Sequence, residues 1–163
     1  DYCSEKLPMS ALRQAQAYKS AAVNTATPSS LLLMLYDGAI KFMRIADQAF
    51  EYEDPLEFNQ NIHNNLIKAQ NIVRELRGAL INHGEGRDGD LVNNLIALYD
   101  YFDRRLQEAN FKKNREIVRE IITRMSELRG AWAESYTKEN QNKESSIKPP
   151  TSDDGGSRLS LMG

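Results

Sequence analysis

Apolar residues recur along this chain in alternating steps of four and three, the spacing of helices that pack side by side. The clearest run is Ile62, Leu66, Ala69, Val73, Leu76 and Leu80. Leu91, Leu95, Leu98, Phe102, Leu106 and Ala109 repeat it, and Val118, Ile122, Met125, Leu128 and Trp132 carry it once more. An earlier run, Leu31, Leu35, Phe42, Ala46 and Ala49, has the same helical character. No stretch alternates apolar with polar residues as a half-buried strand would. The punctuation agrees with four helices. Thr27-Pro28 and Asp54-Pro55 are helix starts, because proline at the first helical position lacks only an N–H that would be unpaired anyway. Gly84, Gly86 and Gly89 make residues 82–90 a turn, and Asn110 to Asn114 break the third seam.

Four amphipathic helices on short polar links predict an all-α fold, an antiparallel up-down four-helix bundle. The first helix is expected from Pro28 to about Tyr52. Residues 1–27 are polar and Ala-rich and are expected to form a mobile N-terminal arm; residues 28–136 form the bundle. From Thr137 onward Lys, Glu, Asn, Ser, Pro and Gly dominate, so 137–163 is expected to be a disordered tail.

Composition excludes several roles. Lys and Arg number 21 against 23 Asp and Glu, a net charge of −2, which leaves no bulk attraction to nucleic acid or anionic lipid. With a single cysteine, Cys3, no intramolecular disulfide can form, and one cysteine with two histidines predicts no metal site. No apolar run is long enough to span a membrane. The first residues carry no secretory pattern, so a cytosolic setting is expected. Titratable groups do not converge as catalysis requires, so neither enzymatic activity nor a cofactor is expected. His63 sits in Ile62-His63-Asn64-Asn65-Leu66, without the lysine three residues on that a phosphotransfer bundle carries.

The first helix has more apolar surface than one core contact needs. Leu35, Phe42 and Ala46 centre the expected core arc, and Leu33, Tyr36, Ile40 and Met43 form a second stripe beside it. Such a helix either touches both neighbours or leaves a groove for another helix. On the third helix, Tyr99 and Arg104 belong to residue types favoured at interfaces.

Several motifs then fall in order. Ala17-Tyr18, Val23-Asn24-Thr25-Ala26-Thr27-Pro28 and Leu33-Met34-Leu35-Tyr36-Asp37-Gly38-Ala39 open the series. Leu66-Ile67-Lys68-Ala69-Gln70-Asn71-Ile72-Val73-Arg74-Glu75-Leu76 and Leu98-Tyr99-Asp100-Tyr101-Phe102-Asp103-Arg104-Arg105-Leu106 follow, and Glu127-Leu128-Arg129-Gly130-Ala131-Trp132 closes it. Together they resemble the flagellin export chaperones, the FliS family, over about Ala17 to Ser135. The resemblance implies a cytosolic bundle that binds the C-terminal region of flagellin, prevents premature polymerisation and docks on the cytosolic domain of the flagellar type III export gate. It implies gate docking through Tyr18. Leu33, Tyr36, Ile40 and Met43, with Ile67, Asn71, Tyr99 and Arg104, are the expected flagellin contacts. A phosphotransfer bundle centred on His63 and a self-associating structural bundle, such as a homodimer of the unloaded chain, stay open as alternatives.

Overall fold

The structure is a computed structural model and describes residues 27–83 and 89–147. Four α-helices follow in order: α1 (Pro28–Ala49), α2 (Pro55–His83), α3 (Gly89–Lys112) and α4 (Arg115–Ser146). The expected arm, including Tyr18, and the tail beyond residue 147 lie outside the described residues.

Each helix boundary has a local cause. Thr27 is extended, and its hydroxyl accepts from the Ser30 N–H at 3.2 Å while Pro28 occupies the first turn. Asp54 does the same for α2, accepting from the Glu57 N–H at 2.8 Å. Asn114 caps α4 through the N–H groups of Glu116 and Ile117. Helix α3 ends at Lys113, which takes a left-handed φ of 50°. The Asn114 N–H then reaches back to the Ala109 carbonyl at 3.0 Å, a bond that closes a helix end of this kind. The third helix therefore runs to Lys112 and the break is confined to Lys113 and Asn114, where the sequence predicted a gap from Asn110 to Asn114.

Cross-helix pairs fix the topology. His63, Gln70 and Arg77 of α2 meet Asn110, Asp103 and Asp100 of α3, so numbers rise on one helix as they fall on the other. The same reversal holds for Asp47 with Arg115 and Asp37 with Arg129 between α1 and α4. It holds again for Phe50 with Phe58 and Phe42 with Lys68 between α1 and α2. Each helix packs on its predecessor, and α4 closes the ring against α1, giving the antiparallel four-helix bundle that the seams predict.

The core corrects the expectation for the first helix. Tyr36, Ile40 and Met43 do not face a groove; they are buried in the bundle with Ala39, Ala46 and Ala49. Leu35 and Phe42, expected at the centre of the core arc, are half-buried on its flank. The wide apolar arc arises because α1 contacts both α2 and α4, so one stripe fills the centre and its neighbour seals a seam. Gly38 belongs to this close packing: a Cβ there would lie 3.2 Å from Ile72 Cδ1.

A second correction concerns the tail. Residues 137–146 continue α4 instead of being disordered. Lys138 and Lys143 pair with Glu134 and Glu139 one turn back, and the Thr137 hydroxyl donates to the Ala133 carbonyl, so this polar segment is supported along its own helix. Composition pointed to disorder because it registers the missing apolar face and not these i,i+4 pairs.

Candidate binding cleft

Between the N-terminal half of α2 and the C-terminal half of α3 lies an open cleft of about 940 Å³. Its apolar wall is Ile67 and Phe111, flanked by His63, Gln70, Arg104 and Lys113. Phe111 is 88% exposed, an unusual position for a phenylalanine in a bundle with a closed core. It lies off the α3 seam because Leu106 and Ala109 take the inward direction, and residue 111 falls on the outer α2 side.

Polar bonds hold the two walls in register. Gln70 donates to Asp103 Oδ1 at 2.9 Å, Arg74 Nε donates to Asp103 Oδ2 at 3.2 Å, and Arg77 Nε donates to Asp100 at 2.6 Å. At the other end the Asn110 side-chain amide nitrogen lies 3.0 Å from His63 Nδ1 and hydrogen-bonds it. Asn110 Oδ1 accepts from the Lys113 ammonium at 2.7 Å. Burial holds the Lys113 ammonium below the ordinary lysine range. The cleft is thus a preformed apolar trough with a polar rim, the shape that receives an amphipathic segment.

The candidate contacts divide. Ile67 and Arg104 both line the cleft. Asn71 is exposed one turn beyond Ile67, outside the cleft lining, and Leu33 is half-buried on α1. Tyr99 does not line the cleft: it is buried, with its hydroxyl against that of Tyr36. Burial pushes both phenols above the ordinary tyrosine range, so both stay protonated and neutral. Tyr99, Tyr36, Ile40 and Met43 therefore leave the set of surface contacts. Phe111 was missed because Asn110 to Asn114 read as a helix break; its signal was a large apolar residue off the seam in an otherwise polar run.

Among the described residues no helix is long and apolar enough to cross a membrane.

A family model described as flagellar protein FliS matches residues 11–139. The chain is 40% identical over 130 residues to the flagellar secretion chaperone FliS of Bacillus subtilis, covering 80% of this chain and 91% of that protein. It is 32% identical to the flagellar secretion chaperone FliS of Salmonella typhimurium, covering 72% of this chain and 83% of the relative. The Escherichia coli protein of the same description is also 32% identical, over 78% of this chain and 92% of its own length.

Proposed function

The chain belongs to the FliS family of flagellar secretion chaperones, and from that premise we propose that it captures the C-terminal region of flagellin in the cytosol, blocks its premature polymerisation and presents it to the cytosolic domain of the export gate. The observation that carries this reading is the α2/α3 cleft, where Phe111 and Ile67 stand exposed on a rigid bundle. A disordered, amphipathic flagellin segment folds into the trough and covers them. Part of the contact energy is spent ordering that segment, which keeps the complex releasable. No step requires bond chemistry, so the role is binding and delivery. Tyr18 is proposed to anchor the loaded complex to the gate.

Co-purification with flagellin from the same organism tests this reading. Full-length flagellin is expected to form a 1:1 complex. Removing about the last 40 residues, enough helix at 1.5 Å per residue to run the length of the bundle, is expected to abolish it. Undiminished binding by the truncated flagellin would overturn the reading.

A further inference from the structure

Although the chain carries a net charge of −2, three cations, Arg74, Arg104 and Lys113, line the cleft against one carboxylate, Glu108. The carboxylates along this part of α3 are already engaged. Asp100 pairs with Arg77, and Asp103 with Arg74. Glu108 accepts from Arg105 at 2.7 Å and from Lys112 at 3.0 Å. Among the described residues Arg104 has no ion pair and no side-chain hydrogen bond, and Lys113 bonds only the neutral Asn110. Arg104 stands seven residues before Phe111, two turns or roughly 10 Å along the same face of α3. Lys113, two residues past Phe111, is held by Asn110, which leaves Arg104 as the cleft cation with neither an ion pair nor a side-chain hydrogen bond among the described residues.

We infer that Arg104 is a specificity-determining residue: it pairs with an acidic side chain of the captured segment, set about two helical turns from the apolar residue that covers Phe111. This rests on the proposed capture of flagellin. Arginine suits the task, since its planar fork grips a carboxylate with two parallel bonds. A carboxylate held at Arg104 fixes the register of the segment against Phe111, which apolar contact alone would leave free to slide. The guanidinium charge also rejects segments that bring a cation to that position.

The test is calorimetry of the full chain with a flagellin segment comprising about the last 40 residues, at about 50 mM and about 500 mM salt. Arg104→Gln is expected to weaken binding about tenfold at low salt, with most of the difference gone at high salt; Arg104→Lys restores most of it. Phe111→Ser weakens binding about equally at both salts. Changing each Asp and Glu of the segment to its amide is expected to reveal one replacement that is silent against Arg104→Gln. Wild-type affinity in Arg104→Gln, with Phe111→Ser still impaired, overturns the inference and leaves capture standing. Failure of the wild-type chain to bind the segment overturns both.

Discussion

The hydroxyls of Tyr36 and Tyr99 lie 2.5 Å apart in the bundle interior, linking α1 to α3 across its centre. These two helices are not neighbours in the ring, so the bond ties its diagonal. Trp132 of α4 adds its indole N–H, which donates to Tyr36 Oη at 3.1 Å. Tyr36 is therefore the shared partner of two other polar groups.

That sharing predicts an asymmetry. Tyr99→Phe leaves Tyr36 bonded to Trp132 and is expected to cost about 1 kcal/mol. Tyr36→Phe leaves both the Tyr99 hydroxyl and the Trp132 indole without this partner and is expected to cost roughly 2–3 kcal/mol. The double variant costs less than the two single losses together, because its second change removes a group already unpaired. Urea denaturation of the three variants reads this order directly; additive losses would show that the hydroxyls do not interact.

Two helix glycines are expected to respond differently. A Cβ at Gly130 meets nothing within 4 Å, so Gly130→Ala should stabilise the bundle by about 1 kcal/mol through helix propensity alone. A Cβ at Gly38 would crowd Ile72 Cδ1 at 3.2 Å, so the same change there should gain less or reverse sign. Equal gains at both sites in thermal melts would show the α1/α2 contact to be looser than described.

The acid side of the stability profile follows from the carboxylates. Glu120 accepts from the Tyr101 hydroxyl and from Arg105 and Arg124, which hold it below its ordinary value. Burial raises Asp47, yet the bonds from Arg115 and Arg119 outweigh that and hold it low as well. A depressed carboxylate adds stability that is complete above its unfolded pKa and is lost as pH falls through its folded one. The melting temperature should therefore fall below about pH 5, and less steeply in Glu120→Gln. A melting temperature that held steady into acid would contradict this pairing scheme.

Ile40→Asp places a charge in the core. Ile40 and Met43 are both buried, so this variant is expected to lose about 3 kcal/mol or more of stability and to unfold at a much lower temperature. Wild-type melting would show instead that this side of α1 is open to water.

The sequence made the helices legible because each bundle helix must keep an apolar seam. The seam through Leu66 and the seam from Leu95 through Phe102 to Ala109 face the core, whereas Leu91, the first residue expected in the latter, is exposed. The direction of α1 was not legible. Two adjacent stripes are both apolar, and one sequence does not say which of them points inward once a helix has neighbours on both sides. The expected arc through Leu35, Phe42 and Ala46 is therefore rotated from the true one: Ala46 is buried, Leu35 and Phe42 flank the core, and Tyr36 and Met43 fill it. Ile67 and Arg104 lie in the family-like stretches, whereas Phe111 is hidden between Asn110, which stays inside α3 and bonds His63 and Lys113, and Asn114, which caps α4. A cleft depends on how two helices diverge, and this is set by packing across the whole bundle.

The central claim is that the α2/α3 cleft captures flagellin, and calorimetric titration of Phe111→Ser with a segment of about the last 40 flagellin residues tests it most directly. Because Phe111 is exposed in the free chain, the variant is expected to melt like the wild type. Loss of an aromatic anchor worth about 2 kcal/mol is expected to weaken binding roughly 30-fold. A folded Phe111→Ser protein that binds the segment as tightly as the wild type would place the capture site elsewhere on the bundle.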